Sequence, residues 1–370
     1  MRLATLARLD YRLRPLITKL PAKWVVSLYS QSRLDFLDLL NMEEEIKRVE
    51  AYFPPENLSR TLWGIKFRLP LMNAAGMFKN GECYLLAVAQ GAGAYLGGTG
   101  TWNARRGNEK HGISLPFAPY PRSHAASNWL GLPNDGDEAN SERILWLKQI
   151  NGCPLGWSVM GSPDLEGEGK LKCLVRGMRL YGKRVDFLEI NESCPNTAHG
   201  RPQDDDLVNR LRYVKEHFLD ERSRRLPVIV KFSNDTEIEQ VPPLLDLLFE
   251  FGFDGVNFGN TSTDYGDMRA KIHPKERRLY DFFTKEFGGG VSGAPLKERS
   301  LALAASAVEY HRAGPPAHEF HVWRTGGIEN RKDIDESDRA GIAMNLWFTA
   351  CFDKFARYGH NLYRELFKDG

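Results

Sequence analysis

From residue 56 onward, the chain alternates short apolar runs with longer stretches in which apolar residues recur every three to four positions. Short runs of this kind are typical of buried strands, whereas the periodic stretches, for example 206–219 and 237–251, predict amphipathic helices. Eight runs predict strands, at 69–74, 94–98, 154–159, 185–191, 226–232, 255–259, 319–324 and 342–347. Because parallel strands need crossover connections, this alternation predicts an α/β fold, a (β/α)8 TIM barrel over 56–370. A doubly wound sheet is the alternative, but no dinucleotide-type glycine fingerprint follows the first strand.

The first 55 residues break this pattern and predict a short helical N-terminal extension, residues 1–55. Ser32 and Asp35 have the spacing of a capping box, so we expect a helix over 32–51 that Pro54 ends. Residues 1–23 carry six cations against one acid, with leucines between them. Such a basic amphipathic segment either lies on an anionic membrane surface or packs on its own domain, and the sequence leaves both open.

Composition narrows the class of protein. The net charge of +2 over 370 residues argues against a nucleic-acid partner. The five cysteines form no CxxC pair, so we expect neither a zinc site nor a disulfide framework, and a reducing, cytoplasmic compartment fits best. No apolar run is long enough to span a bilayer, and a signal-peptide core is not found. Oligomeric state is left open, a homodimer included.

Polar or small residues follow nearly every predicted strand. Barrel enzymes build their sites from the C-terminal ends of the strands, so this recurrence predicts an active site there. The residues concerned are Ala75, Gly76, Lys79, Thr99, Ser158, Asn191, Cys194, Asn196, Lys231, Asn260, Thr261, Gly327 and Thr349. The glycine clusters at 288–293 and 326–327 would offer bare backbone N–H groups near the last strands, which predicts a site for a phosphate-bearing ligand.

Three side chains carry candidate chemistry. Lys231 ends an apolar strand, where a lysine needs an anionic partner or a depressed pKa. It would either neutralise an electron-rich cofactor ring or form a Schiff base with a carbonyl substrate, as in a barrel lyase or aldolase. Lys79 suits the capture of a substrate carboxylate. Cys194 is a candidate base, although a lone cysteine is more often a small buried apolar residue.

The ordered motifs resemble those of the dihydroorotate dehydrogenases, flavin enzymes of pyrimidine synthesis. They are AAGMFKNGE at 74–82, NWLGLPN at 128–134, NESCPNT at 191–197, VKF at 230–232, GNT at 259–261, GGVSG at 289–293 and GGI at 326–328. The resemblance covers roughly residues 69–349. It implies an FMN-dependent oxidoreductase that oxidises dihydroorotate to orotate.

The resemblance also implies a role for each residue. FMN would lie across the barrel mouth, with its phosphate held near Gly293, Gly327 and Phe348-Thr349. The flavin ring and ribityl chain would be surrounded by Ala75, Gly76, Lys79, Thr99, Ser158, Asn191, Lys231 and Gly259. The substrate would be held by Lys79, Asn128, Gly131, Leu132, Asn191, Asn196, Asn260 and Thr261. Cys194 would act as the base, with Lys79 as the second catalytic residue, while hydride leaves for the flavin; only a deprotonated thiol can do this.

Features of two classes are mixed in this chain. Cys194 and the run 200–203 resemble the soluble, cysteine-based class, whereas the basic extension and the motif at 74–82 resemble the membrane-attached class. Fumarate, a nicotinamide-linked partner subunit and quinone therefore all stay open as electron acceptor. Peripheral contact with the inner face of a membrane is expected only if the acceptor is a quinone.

Four residues depart from the usual motifs. They are Phe78, Trp129, Glu192 and Gly259. These changes predict either dihydroorotate in a modified pocket or another pyrimidine or unsaturated ring. Strand alternation turns Glu192 away from Asn191, so a basic helix residue is its expected partner. A barrel that only binds a ligand, without catalysis, is the remaining alternative.

Overall fold

The computed structural model describes residues 2–147, 149–193 and 205–368. Its largest element is a sheet of eight parallel strands, which confirms the predicted barrel. The strands are β1 (Leu71–Asn73), β2 (Tyr95–Gly100), β3 (Leu155–Val159), β4 (Phe187–Asn191), β5 (Val228–Phe232), β6 (Gly255–Phe258), β7 (His321–Thr325) and β8 (Met344–Trp347). Their order in the sheet is β1-β8-β7-β6-β5-β4-β3-β2. Each overlaps one of the eight apolar runs.

A side chain links the two strands that no backbone ladder joins. Asn73 Nδ2 donates to the Leu96 carbonyl at 2.7 Å, and the Leu96 N–H donates to Asn73 Oδ1 at 3.3 Å. The carboxamide thus imitates a backbone pair between β1 and β2. Gly98 N–H continues the contact by donating to the Phe78 carbonyl at 3.1 Å.

Helices surround the barrel and precede it. The N-terminal ones are α1 (Leu3–Ile17), α2 (Ala22–Leu40) and α3 (Glu43–Lys47). The others span Tyr84–Gln90, Asp137–Leu145, Gly167–Tyr181, Asp205–Val214 with a π-helical end at Lys215–Leu219, Val241–Phe251, Tyr265–Lys271, Arg277–Glu286, Lys297–Ala313, Arg331–Ala340, Thr349–Tyr358 and Leu362–Leu366. Short 3₁₀ turns lie at Glu56–Leu58, Ile238–Gln240, Pro274–Glu276, Ala294–Leu296 and Gly359–Asn361.

The predicted helix start at Ser32 is wrong. Ser32 lies within α2, and its Oγ donates to the Leu28 carbonyl at 2.8 Å instead of capping a helix. Such a bond back to the preceding turn is the alternative use of a serine hydroxyl. The helical stretches at 206–219 and 237–251 are confirmed.

Aromatic side chains fill the end of the barrel opposite the predicted site. A hairpin of Arg60–Leu62 and Ile65–Phe67 packs there. Its Phe67 ring lies 6.2 Å from the ring of Trp323, which in turn lies 5.2 Å from Phe187, between ring centroids. All three rings are fully buried, so this end is closed by packed apolar side chains.

The long connections contain a second, antiparallel sheet. Phe117–Tyr120 pairs with Ala125–Asn128, which pairs with Gly290–Gly293, while Glu109–Lys110 and Ile113–Ser114 form a separate hairpin. Helix α2 packs on this sheet, and α1 packs on the Thr349–Tyr358 helix. Among the described residues, no helix is long and apolar enough to cross a membrane.

Candidate active site

A pocket opens at the C-terminal ends of the barrel strands, where the strand-end residues were predicted to meet. Residues of β2 and of β4 to β8 line it, together with Ala74–Gly76, which follow β1 directly. Of the predicted site residues, the lining includes Ala75, Gly76, Lys79, Thr99, Asn128, Leu132, Asn191, Lys231, Gly259, Asn260, Thr261, Gly293, Gly327, Phe348 and Thr349. The sequence pattern therefore located the pocket.

Some predicted residues lie elsewhere. Ser158 is buried behind the wall and contacts the lining indirectly, since its Oγ lies 3.1 Å from Thr99 Oγ1 and 3.0 Å from Glu189 Oε1. Gly131 is not part of the lining, because it turns the chain between Leu130 and Leu132 with a φ of 71°. Cys194 and Asn196 lie outside the described residues.

The pocket wall contains a buried polar network that the sequence did not predict. Glu189 is fully buried on β4, and its Oε1 accepts from Lys231 Nζ at 2.9 Å and from Ser158 Oγ at 3.0 Å. Its Oε2 accepts from Asn257 Nδ2 at 2.8 Å, and Asn257 Oδ1 accepts from Thr325 Oγ1 at 2.9 Å. The network therefore runs across β3, β4, β5, β6 and β7. The network could have been predicted from Glu189 and Asn257, since each is a charged or amide residue inside a run predicted to be an apolar strand.

The network supplies the anionic partner that Lys231 needs. A Schiff-base lysine has to lose its proton before it attacks a carbonyl. The Nζ of Lys231 is instead held in an ion pair with the buried Glu189 carboxylate at 2.9 Å. The lyase alternative is therefore disfavoured, and a fixed positive charge facing a ligand ring is favoured.

A second set of bonds fixes the amide side chains of the mouth. Asn191 Nδ2 donates to Thr99 Oγ1 at 3.1 Å, while its Oδ1 accepts from Ser193 Oγ at 3.0 Å. Asn260 Nδ2 donates to the Ser193 carbonyl at 2.9 Å. The ends of β2, β4 and β6 are thereby held in one arrangement, as a preorganised binding site requires.

The glycine-rich end of the pocket fits a phosphate. A Cβ on Gly293 would lie 2.2 Å from the His124 carbonyl, and one on Gly327 would lie 2.4 Å from Lys297 Cα. Both positions therefore accept only glycine, with φ values of 100° and 70°. Thr349 begins a ten-residue helix there, and its Oγ1 donates to Ser292 Oγ at 2.9 Å. Bare N–H groups beside a helix N-terminus suit an anion. In the glycine cluster at 288–293, Ser292 and Gly293 line the pocket, whereas Gly288–Gly290 do not.

The four departures from the usual motifs leave the pocket lining largely unaltered. Phe78 stacks on Tyr95, with ring centroids 5.6 Å apart, and Trp129 packs against the apolar cluster beneath α2. Glu192 pairs with Arg210 at 2.9 Å, the helix partner that was expected. Gly259 alone lines the pocket, and a Cβ there would lie 2.1 Å from Thr325 Cβ. A hydroxyl-bearing residue is therefore excluded by Thr325.

A second cavity lies between the N-terminal helices and the antiparallel sheet. It is lined by Leu3, Leu6, Ala7, Asp10, Arg14, Tyr29, Ser32, Arg33, Asp35, Phe36, Leu39, Phe117, Pro119, Tyr120, Pro121, Ala125, Ala126, Phe348, Thr349, Phe352 and Asp353. Phe348 and Thr349 also line the mouth pocket, so they form a wall common to both spaces. A ligand in this cavity would contact the wall of the first.

Arg33 faces this cavity without an acidic partner among the described residues. Arg33 is 8% exposed, and its Nε and Nη2 have no hydrogen-bond partner within the described part of the chain. Burial lowers the pKa of its guanidinium to about 10. By contrast, Arg14 on the same wall pairs with Asp10 at 2.5 Å and with Asp353 at 2.8 Å. No sequence pattern singles out Arg33, because packing decides which arginine of an amphipathic helix is buried.

Comparison with known proteins identifies the family. The family model described as dihydroorotate dehydrogenase matches residues 57–366. The chain belongs to the dihydroorotate dehydrogenase family. Members are flavin-dependent oxidoreductases that act on a CH–CH group of the donor, and the resemblance stated from the motifs is confirmed.

Curated relatives and solved structures agree with this. A dihydroorotate dehydrogenase (quinone) of Thermosynechococcus vestitus is 27% identical over 333 residues, 88% of this chain and 84% of the relative. One from Bordetella pertussis is 31% identical over 251 residues, 66% of this chain and 67% of the relative. A crystal structure of the Eimeria tenella enzyme in complex with ferulenol has a TM-score of 0.73 at 22% identity, covering 90% of this chain and 89% of that one. This structural likeness supports the barrel fold.

Proposed function

We propose that the protein oxidises dihydroorotate to orotate for pyrimidine synthesis, with FMN in the mouth pocket. The observation that carries the proposal is the pocket itself. Lys79 and the amides of Asn128, Asn191 and Asn260 surround one space, with Lys231 on its wall. A planar ring bearing a carboxylate and several amide groups matches this set of donors and acceptors.

The residues present fit FMN. The glycine cradle and the helix N-terminus at Thr349 would hold its phosphate, Lys231 would face the ring, and Thr99 and Asn191 would bond its polar edge. When bound, FMN supplies the acceptor for the hydride. The glycine end is the part of the described lining that suits a phosphate, and this favours a mononucleotide.

The chain's own residues have separate tasks. Lys79 would bind the substrate carboxylate and orient the ring, while Asn128, Asn260 and Thr261 would fix its amide groups. Cys194 would take the proton from the ring carbon next to the one that loses hydride.

Anaerobic titration of the purified protein with dihydroorotate tests the proposal. We expect a flavin spectrum that bleaches, and a Cys194→Ala variant that binds flavin but bleaches at least a hundredfold more slowly, since general bases contribute on this order. A Cys173→Ala variant is the matched control, because Cys173 lies on the Gly167–Tyr181 helix outside the pocket. Bleaching by another unsaturated ring but not by dihydroorotate would move the assignment to that ring. Protein that binds no FMN would refute the proposal.

For the electron acceptor we propose a quinone. The relatives named above are dihydroorotate dehydrogenases (quinone), and the second cavity offers an apolar space that ends at Phe348 and Thr349. Arg33 would donate to a quinone carbonyl oxygen, because its unsatisfied N–H groups face this space. Initial rates with ubiquinone, fumarate and NAD would rank the quinone against fumarate and a nicotinamide-linked partner subunit as acceptors.

The N-terminal helices also support peripheral membrane contact, as expected for a quinone acceptor. The solvent-facing side of α1, α2 and the turn between them carries exposed apolar residues: Leu6, Leu9, Leu13, Leu16, Leu20, Trp24, Leu28 and Leu39. Vesicles with anionic lipid should sediment the protein, and Trp24→Glu should weaken this. Trp146→Glu is the matched control, because Trp146 is 88% exposed against 69% for Trp24 but lies outside these helices. Equal weakening by both substitutions would contradict the assignment of the contact to α1 and α2.

A further inference from the structure

Two carboxylates line the mouth pocket within the described residues, and they are held differently. Glu329 lies at the glycine end, where Lys297 contacts it at 2.7 Å and His124 at 3.1 Å. Glu189 lies fully buried on the strand wall and shares Lys231 with any ring bound there. The Glu189 arrangement affects the chemistry of that ring, because Lys231 then contacts both the Glu189 carboxylate and the ring.

Three donors stabilise the negative charge of Glu189. They are Lys231 Nζ at 2.9 Å, Ser158 Oγ at 3.0 Å and Asn257 Nδ2 at 2.8 Å. A carboxylate satisfied in this way on both oxygens is fixed in place, and so is the ammonium group that it contacts. The wall therefore presents a cation whose charge is largely offset by a neighbouring anion.

We propose that Glu189 is a positioning residue that lowers the reduction potential of the bound flavin by offsetting the charge of Lys231. This rests on the proposed function, which places the FMN ring against Lys231. Reduction by hydride adds two electrons and negative charge to the ring, and an unpaired cation beside it would favour the reduced form. With Glu189 present, that preference is smaller, because the two charges act on the ring with opposite sign. A ring of lower potential passes its electrons more readily to an acceptor.

Midpoint potentials of the FMN-loaded protein test this inference. We expect Glu189→Gln, which keeps the shape of the side chain, to favour the reduced flavin at least tenfold, a rise of about 30 mV for a two-electron couple. Glu189→Asp should restore a value close to that of the unchanged protein. Asp254→Asn is the matched control: Asp254 is also buried and paired with an arginine, at 3.0 Å, but lies before β6 at the opposite end of the barrel. That control should leave the potential unchanged.

A second comparison applies if Glu189→Gln does not fold, since it leaves a buried cation without its partner. Lys231→Met should lower the potential, and Lys231→Met combined with Glu189→Gln should recover at least the same tenfold. Potentials that do not respond to Glu189 in either comparison would overturn the inference. Protein without any FMN affinity would instead overturn the proposed function, so the two failures are distinguishable.

Discussion

Replacement of Arg33 by methionine should raise the free energy of unfolding and lower the rate at which the protein reduces quinone. Burial lowers the guanidinium pKa from 12.5 to about 10, and this shift corresponds to about 3 kcal/mol of unfavourable desolvation in the folded state. Methionine keeps most of the apolar stem without the charge. We therefore expect the free energy of unfolding to rise by about 1–3 kcal/mol, measured by urea denaturation of the FMN-loaded protein.

The same substitution should affect one half-reaction only. A hydrogen bond from a charged donor contributes about 1.5–3 kcal/mol, so kcat/KM for ubiquinone should fall by about ten- to a hundredfold. Flavin reduction by dihydroorotate should be unchanged, because Arg33 does not line the mouth pocket. Arg14→Met is the control with the opposite sign: it leaves Asp10 and Asp353 without their partner and should destabilise the protein. A less stable Arg33→Met variant would refute the reasoning, since it would show that the guanidinium is satisfied in the fold.

Three further predictions concern the barrel and its wall. Asn73→Ala removes both bonds to Leu96 across β1 and β2, and should lower the free energy of unfolding by about 2–4 kcal/mol in urea titrations. Burial raises the pKa of Asp137 to about 7, so the folded state holds the proton more tightly than the unfolded state. The free energy of unfolding should therefore fall by about 4 kcal/mol as pH rises from about 4 to 7. In calorimetry, the Asp137→Asn variant should lose this dependence of stability on pH. Gly259→Ala places a Cβ 2.1 Å from Thr325 Cβ and should weaken FMN binding by equilibrium dialysis, whereas Gly252→Ala, with open space around it but a φ of 75°, should cost only local stability.

The barrel was predictable because its signals are local. Strand β5, for example, is an apolar run bounded by Pro227 and Ser233, and burial on both faces selects such a run regardless of its partners. The start of α2 was missed, since Ser32 has the side chain of a cap but bonds the preceding turn. Whether Ser32 caps a helix or bonds the preceding turn depends on where the helix begins, and the spacing of Ser32 and Asp35 does not show that α2 begins at Ala22.

The sequence by itself determined which residues stand at the strand ends, and therefore most of the pocket lining. It also identified Lys231 as a residue in need of an anion. Only the tertiary structure decided that this anion is Glu189, on the neighbouring strand, because pairing between strands depends on register and not on sequence distance. The same holds for Arg33: its Nε and Nη2 have no hydrogen-bond partner in the described parts of the chain, because α2 packs against a sheet more than eighty residues further along. The sequence therefore determines which ionisable side chains are present, and tertiary packing determines which of them form ion pairs.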